Sequence, residues 1–314
     1  MLKIISLDEI KTLLKDIDVI DLMKDAFIQY SIGNSIIPPV GELIFENPPG
    51  DVHIKYGYIK GDNLYVIKIA SGFYENHKLG LPSGQGLMLL FSQKTGQLES
   101  ILLDDGHLTN IRTAAAGALA VKCFSSNKTG SIGIIGSGVQ ARLQLEYIQK
   151  NSPCNKVFLW GRNKKKIQEF YLEIKNNYTV EITSSPRDLA RKSNIIVTTT
   201  ASEFPLLKSN DIKSGSLIVA IGSDTENKQE LDSEILRDAS LVITDSISQS
   251  KSRGEIFKAL TKGVINEKQV MEFGNAIQNK NLSRINNKTV VVDLTGVAVQ
   301  DVAIATKVYY NFLK

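Results

Sequence analysis

The sequence predicts an α/β protein in which a doubly wound parallel sheet is joined to a second, α+β domain. Its 314 residues exceed the size of one ordinary hydrophobic core and suit two domains. After residue 130, short apolar runs alternate with helical patterns, which is typical of a parallel sheet covered by helices. Before Asp104, strands follow one another without helices between them, which is typical of antiparallel neighbours.

The first predicted elements are two helices and a sheet. The segment from Ser6 to Glu9 has the form of a capping box, which predicts a helix start. Apolar residues at helical spacing from Ile20 to Tyr30 predict a second helix, which Gly33 can close. An alanine-rich stretch over 108–120 predicts a third helix. Between the second and third helices, alternating residues predict strands over 41–46, 52–60, 64–70, 86–92 and 97–103.

Residues 132–141 have the pattern of a buried strand, a glycine turn and a helix start. Gly136 allows the tight turn, Gly138 lets the backbone approach a pyrophosphate, and small Ala141 lets the helix pack on the strand. The amides at the helix start would then face the anion. This is the fingerprint of a Rossmann-like dinucleotide-binding domain, and a glycine-rich turn without a ligand is the alternative. The predicted cofactor-binding residues of this turn are Gly136, Ser137, Gly138, Val139, Gln140 and Ala141.

The glycine turn is followed by a helix and further parallel strands. Val139, Leu143 and Tyr147 have helical spacing and are expected on one apolar face. We assign residues 123–294 to the NAD(P)-binding domain. The helical pattern over 297–313 is expected to pack on the first domain, so residues 1–122 with 295–314 form a split substrate-binding domain. The later strands are predicted over 156–160, 180–183, 194–200, 216–221, 241–244 and 289–294.

The composition excludes several classes of protein. A net charge of +4 is small for this length, so no nucleic-acid surface is predicted. No window approaches the ~20 apolar residues of a membrane span, so no membrane partner is predicted. Two cysteines and an N-terminus without an apolar leader favour a reducing, cytoplasmic setting. The cysteines and the three histidines show no metal-ligand spacing, so no metal site is predicted.

The end of the second parallel strand bears on the choice of cofactor. NAD-binding domains normally place an acidic residue there, on the ribose hydroxyls. Here Arg162 and Lys164 follow the strand and would attract a 2′-phosphate, while Asn163 can cap the next helix. NADP(H) is therefore favoured and NAD(H) stays possible; the alternative is that the cations simply face solvent. Thr199 and Thr200, at the end of a later strand, are expected on the nicotinamide side.

Lys68 and Arg112 are the first candidates for the chemistry. Lys68 lies inside an apolar strand, where a charge is costly unless it is paired or functional. A partly buried lysine has a lowered pKa and can exchange protons with an amine or imine. Arg112 precedes the alanine-rich stretch, where its guanidinium and the helix start could clamp a carboxylate. The alternatives are that Lys68 lies on an edge strand and reaches solvent, and that Arg112 forms a salt bridge between the domains.

Asp224 is the third candidate. It follows a predicted parallel strand, at the edge where open α/β sheets bind ligands. A carboxylate there can hold an ammonium group or orient water. A helix-cap or turn aspartate is the competing interpretation.

These residues together resemble the ornithine cyclodeaminase/mu-crystallin family over nearly the whole chain. The resemblance implies a homodimer built on the split domain and a substrate pocket between the domains, with Lys68 and Arg112 meeting the substrate. It also implies that Asp224 faces the reacting nitrogen or a water. The matching motifs are the glycine turn followed by Arg142, residues 111–115, Lys68 in its strand, residues 220–224 with Glu230 after them, and residues 293–296. Thr113, Gly222 and Ser223 lie in these motifs and are added to the predicted cofactor-binding residues.

Two departures from the family bear on the substrate. Many relatives have an arginine for the α-carboxylate where this chain has Pro38-Pro39-Val40. The ornithine-specific members have a glutamate where this chain has Lys55, which would repel a second ammonium group. Lys55 and His53 share a strand face and could meet a carboxylate instead.

The family shares a hydride step between nicotinamide and an α-carbon that carries nitrogen. The departures favour a reductase of a small neutral or acidic 2-imino acid that uses NADPH, or an amino-acid dehydrogenase. Cyclodeamination of ornithine is the alternative, and a catalytically silent NADPH-binding protein is the second alternative.

Overall fold

The computed structural model describes residues 2–73, 75–125, 130–151, 154–279, 282 and 288–314. The chain divides into two units, Met1–Arg112 with Val297–Lys314, and Thr113–Gly296. The division falls inside the third helix, whereas the sequence suggested a boundary at its end. It does so because the later part of that helix bonds within the second unit: the Thr113 carbonyl accepts a hydrogen bond of 3.0 Å from Gln144 Nε2.

The elements follow the predicted order. The strands are β1 (Lys3–Ile5), β2 (Ser35–Ile36), β3 (Gly41–Phe45), β4 (Gly50–Ile59), β5 (Leu64–Phe73), β6 (Gly84–Ser92), β7 (Leu98–Leu102), β8 (Ile132–Ile135), β9 (Lys156–Trp160), β10 (Thr179–Ile182), β11 (Ile195–Thr198), β12 (Leu217–Ala220), β13 (Leu241–Thr244), β14 (Val270–Glu272) and β15 (Val290–Asp293). The helices are α1 (Leu7–Leu13), α2 (Val19–Ser31), α3 (His107–Phe124), α4 (Val139–Asn151), α5 (Lys164–Ile174), α6 (Pro186–Lys192), α7 (Ser233–Asp238), α8 (Gly254–Thr261), α9 (Phe273–Gln278) and α10 (Ala298–Phe312).

The first unit is built on a mixed sheet. Within the described residues it has seven strands in the order β1-β7-β6-β5-β4-β2, with β3 also paired to β4. Only β1 and β7 run parallel; the other pairs are antiparallel, as predicted. The sequence analysis missed β1 and β2, because two or three residues are too few to show an alternating pattern.

Helices cover this sheet with their apolar faces. Ser6 caps α1 in the predicted capping box with Glu9, and α2 buries Met23 and Phe27. Helix α10 follows β15 in the chain and packs on β4, β5 and α2. It is apolar except for a few residues, and almost all of its first nine side chains are buried.

The second unit is a doubly wound parallel sheet. Its described residues form eight parallel strands in the order β10-β9-β8-β11-β12-β15-β13-β14. The chain runs from β8 outward to β10, then returns to β11 on the other side of β8, so a topological switch point lies between β8 and β11. Ligands of such sheets bind outside the carboxyl ends of the strands at this point.

One predicted helix face is wrong. Val139 was expected on the apolar face of α4, but its side chain is 60% exposed. The buried face carries Ala141, Leu145 and Ile148 instead, with the amide of Gln144. These positions recur three and four residues apart, which places them together against the sheet.

Among the helices described, none combines the length and the apolar character that crossing a membrane would require.

Candidate active site

A cavity of about 540 Å³ opens at the switch point of the second unit. It lies where β8, β9 and β11 end, so loops from three neighbouring strands supply its walls. Its lining residues are Gly136, Ser137, Trp160, Gly161, Arg162, Asn163, Lys166, Thr199, Thr200, Ala201, Ser202 and Leu206.

The glycine turn after β8 forms one wall of this cavity. Gly136 has φ of +133°, a conformation that other residues rarely adopt, and a Cβ there would collide with the Thr199 hydroxyl. The Gly136 amide donates to the Trp160 carbonyl at 2.8 Å, which fixes the turn on β9. A Cβ at Gly138 would meet nothing within 4 Å, so the backbone before α4 is open to a ligand. The turn therefore fits the pyrophosphate of a dinucleotide.

The wall after β9 is cationic. Asn163 caps α5, accepting a hydrogen bond of 3.0 Å from the Lys166 amide, as predicted. The cap turns Lys166 toward the cavity, where it joins Arg162 among the lining residues, whereas Lys164 lies outside them. None of the described lining residues is a carboxylate. The sequence missed Lys166 because the order of residues does not show which side of the first helical turn faces the cavity.

Thr199 and Thr200 line the opposite wall, and the buried Glu230 lies behind it. Its carboxylate accepts hydrogen bonds from the Thr198 hydroxyl (2.7 Å), the Thr200 amide (2.6 Å) and the Thr200 hydroxyl (2.7 Å). The Gly222 amide supplies a fourth, at 2.9 Å. Burial outweighs these bonds and raises the pKa of Glu230 to about 7.

Asp224 lies in the turn after β12, outside the cavity lining. Its carboxylate forms an ion pair of 2.6 Å with Lys228, and both side chains are partly accessible. The Ser223 hydroxyl donates to the Lys228 carbonyl at 2.8 Å and closes the same turn. Gly222 cannot carry a side chain, because a Cβ would collide with the backbone of Thr200.

The remaining predicted cofactor residues are not among the lining residues. Val139 and Gln140 begin α4, Ala141 lies on the buried face of the same helix, and Thr113 lies in α3. Their roles stay predictions.

A second set of functional side chains surrounds Asp301 in the first unit. Asp301 is 1% exposed and lies in the first turn of α10. Its Oδ2 lies 2.9 Å from Lys68 Nζ, and its Oδ1 lies 3.1 Å from Arg112 Nε. One buried carboxylate thus contacts two buried cations. The ion pairs lie within the first unit, so the alternatives of a solvent-facing Lys68 and an inter-domain bridge of Arg112 are both excluded.

Three cations, Lys68, Arg112 and Lys55, act on the single carboxylate of Asp301 and make this site electropositive. Burial lowers the pKa of Lys68, and nearby Arg112 lowers it further, against the attraction of Asp301. Burial acts to raise the pKa of Asp301, but the attraction of Lys68, Arg112 and Lys55 outweighs it, and that pKa is lowered. The neighbouring cations therefore favour the ionised form of Asp301, while burial disfavours the charged form of Lys68. An anion is the ligand that this potential favours.

The position of Arg112 differs from the prediction. It does not precede α3 but lies within that helix, which begins at His107. The helix starts early because Asp104 accepts hydrogen bonds from the amides of His107 and Leu108, both at 2.8 Å. Arg112 is held by its contact with Asp301 and by Gln300, whose Oε1 lies 3.4 Å from Arg112 Nη1. The start of the helix dipole therefore does not assist Arg112.

Lys55 and His53 lie on β4, as their two-residue spacing predicted. Lys55 is buried directly opposite Lys68 in the sheet register. His53 lies between two carboxylates: its Nδ1 is 3.3 Å from Glu42 and its Nε2 is 3.5 Å from Asp51. Lys55 thus belongs to the surroundings of Asp301, whereas His53 is engaged by acidic neighbours.

Asp301 and Gln300 were not predicted as site residues, although the sequence contains a usable signal. They form a polar pair inside the otherwise apolar first eight residues of α10, Ala298 to Ala305. The argument that singled out Lys68 in its apolar strand applies equally to them.

Comparison with known proteins identifies the family. A sequence profile of the ornithine cyclodeaminase/mu-crystallin family matches residues 2–314. The chain belongs to this family. The resemblance noted from the sequence motifs is therefore confirmed.

Individual family members show the range of activities among similar proteins. The chain is 35% identical over 311 residues to a Sinorhizobium fredii protein named as the uncharacterized cyclodeaminase y4tK, covering 97% of this chain and 94% of the relative. It matches an archaeal alanine dehydrogenase dimer with bound NAD at a TM-score of 0.89 and 29% identity, covering 99% and 96% of the two chains. It also matches the Δ(1)-pyrroline-2-carboxylate reductase of Thermococcus litoralis, solved with NADH and L-proline, at a TM-score of 0.89 and 27% identity, covering 99% and 97%.

The substitution Asp301→Asn tests the buried ion pairs. Loss of the charge leaves Lys68 and Arg112 without their carboxylate, so the free energy of unfolding should fall by about 3–5 kcal/mol. Folding lowers the pKa of Asp301. The stability that its ionised carboxylate contributes is therefore fully present above pH ~4 and is lost as pH falls through the pKa of the folded state. In urea unfolding between pH 3 and 7, the free energy of unfolding should therefore fall less steeply at acid pH for the variant than for the native chain.

The matched control is Asp21→Asn, which removes an exposed carboxylate 3.3 Å from Lys24. It should change the free energy of unfolding by less than about 1 kcal/mol. Equal effects of the two substitutions would contradict the importance of the Asp301 contacts.

Proposed function

We propose that the protein is an NAD(P)H-dependent oxidoreductase that reduces a small 2-imino acid at its α-carbon. The observation that carries this proposal is the buried contact of two cations, Lys68 and Arg112, with the single carboxylate of Asp301. A substrate carboxylate would supply the negative charge that this site favours. The activities of the similar dehydrogenase and reductase support the proposal.

The residues around Asp301 would bind the substrate and move a proton. Arg112 would hold the carboxylate through its planar guanidinium, which suits such groups. Lys68 would exchange a proton with the imine nitrogen, and burial, which lowers its pKa, favours that exchange. Lys55 would add attraction for an acidic substrate and repel a diamino acid. Asp224 would face the nitrogen or a water, as the family resemblance implies.

The glycine turn and the loop after β11 would hold the cofactor. The Gly136 turn would bind the pyrophosphate, and Thr199 and Thr200 would flank the nicotinamide. When bound, the nicotinamide supplies the hydride. We propose a preference for NADP(H), supported by Arg162 and Lys166 in the cavity lining and by the lack of a carboxylate among the described lining residues.

Lys166→Ala and Arg162→Ala test the cofactor preference. Each should weaken NADPH binding by about tenfold, since a charged contact to a phosphate contributes roughly 1.5–3 kcal/mol. NADH binding should change by less than about threefold. Fluorescence titration of both nicotinamides gives the dissociation constants.

Lys164→Ala is the matched control, because Lys164 is exposed and starts the same helix outside the cavity lining. If only Lys164→Ala changes the dissociation constant for NADPH, the sequence-based prediction that Lys164 attracts the 2′-phosphate would be restored. Equal affinity of the native chain for NADH and NADPH would refute the preference.

A panel of substrates tests the activity itself. We expect NADPH oxidation with 2-oxo acids plus ammonia or methylamine, or with cyclic imino acids, followed at the NADPH absorbance band. Lys68→Met should reduce kcat by about 10²-fold or more, because it removes a proton-transferring group. Ornithine converted to proline and ammonia without net cofactor turnover would make the protein a cyclodeaminase. NADPH binding without any turnover would make it a binding protein.

We also propose that the protein forms a homodimer. The similar archaeal alanine dehydrogenase is a dimer, and β3 exposes Leu43, Ile44 and Phe45, a patch of the kind that marks interfaces. Ile44→Glu should therefore yield monomers in sedimentation velocity, while Leu172→Glu, an exposed leucine on α5, should not. A monomeric native chain would refute the dimer. The cytoplasmic setting stays a prediction of the sequence.

A further inference from the structure

Glu230 joins the ends of two neighbouring strands. Thr198 and Thr200 belong to the end of β11 and the loop after it, and Gly222 follows β12. Each carboxylate oxygen accepts two hydrogen bonds: Oε1 from the Thr200 amide and hydroxyl, and Oε2 from the Thr198 hydroxyl and the Gly222 amide. The side chain itself is fully buried and does not line the cavity.

These bonds determine the position of one cavity wall. Residues 199–202 form that wall, and the Thr200 amide and hydroxyl are both tied to Glu230. Because Gly222 is tied to the other oxygen, the carboxylate also sets where the turn with Asp224 begins. Glu230 therefore controls the wall without touching a bound cofactor.

The ionised carboxylate accepts all four hydrogen bonds. Two of the donors are backbone N–H groups, one on each oxygen, which cannot rotate away or become acceptors. A protonated carboxyl must donate its O–H to the Thr198 or Thr200 hydroxyl, which then has to reverse its own hydrogen bond. The remaining bonds lose the assistance of the negative charge, which makes such bonds roughly twice as strong. Protonation therefore weakens the junction of β11 and β12.

We propose that Glu230 is a positioning residue that holds the Thr199–Thr200 wall of the cofactor cavity in its binding conformation most firmly while its carboxylate is ionised. This inference rests on the proposed function, because it assumes that a nicotinamide cofactor occupies the cavity. Cofactor binding is then linked to release of a proton from Glu230 near neutral pH, where its pKa lies.

Other charged groups surround Glu230, and the effect of their titration must be distinguished from that of Glu230. Glu255 accepts hydrogen bonds from the amides of Glu230 and Leu231, at 2.7 and 3.1 Å. Burial raises the pKa of Glu255 and of Asp293 well above the usual range, and repulsion from Glu230 adds to both. On the turn, Asp224 pairs with Lys228, and Arg253 Nη1 donates to the Asp224 carbonyl at 3.4 Å. Variants at Glu230 and Thr198 leave all of these groups in place.

The test is the pH dependence of NADH binding. NADH is chosen because the 2′-phosphate of NADPH titrates near pH 6. For the native chain, the dissociation constant should rise as pH falls below about 7, by up to tenfold for each pH unit. Glu230→Gln should bind NADH about tenfold more weakly at pH 8, because the amide has only one oxygen to accept hydrogen bonds. Its dissociation constant for NADH should not change between pH 6 and 8, because the amide does not ionise.

Thr198→Val separates positioning from a general structural role. It removes one donor to the ionised carboxylate and nearly preserves the shape of the side chain, so it should raise the pKa of Glu230 and move the binding midpoint to higher pH. Glu181→Gln, at an exposed carboxylate paired with Lys192, is the matched control and should reproduce the native profile.

A native profile that is flat between pH 6 and 8, or a Thr198→Val midpoint that does not move, would overturn the inference while leaving the proposed function intact. Failure of the native chain to bind either nicotinamide at any pH would instead overturn the proposed function.

Discussion

The contact of Asp301 with Lys68 and Arg112 is the interaction on which the first unit depends. Three charged side chains are removed from water there, which is tolerable only because each cation lies within about 3 Å of the same carboxylate. The arrangement has a cost in stability, since an apolar cluster of similar volume would avoid the desolvation. What it provides is a fixed, electropositive site in a part of the sheet that bulk water does not reach. Such a site would suit an anionic group, and its burial lowers the pKa of the Lys68 amine.

The second unit shows a related use of buried carboxylates. Glu230, Glu255, Asp293 and Asp245 each accept hydrogen bonds from backbone amides near the carboxyl edge of the parallel sheet. Glu230 accepts hydrogen bonds from the loops after β11 and β12, and Glu255 accepts one from the backbone amide of Glu230 itself. The loops around the cofactor cavity are therefore shaped by acidic side chains behind them rather than by their own packing. Loops of this kind can be well ordered and still be sensitive to proton concentration.

The sequence predicted the features that depend on local pattern. The glycine turn at Gly136, the parallel strands and the buried Lys68 all follow from residue spacing and apolar character within short windows. The partners of these residues could not be predicted in the same way, because they come from distant elements. Asp301 reaches Lys68 only once α10 has packed on β5, and the orientation of Lys166 depends on how Asn163 caps α5. Arg112 was expected at the start of its helix because the capping role of Asp104 was not recognised.

The sequence separation of the charged partners has a consequence for how the protein is made. Arg112 and Asp301 are 189 residues apart, and the whole parallel-sheet unit lies between them in the chain. During synthesis on the ribosome the strands of the first sheet emerge long before the helix that neutralises their cations. Until that helix arrives, the two cations lack their counterion and the sheet lacks the helix that packs on β4 and β5, so we expect the contiguous second unit to fold first. The N-terminal strands would then wait, solvated, for the last helix to leave the exit tunnel.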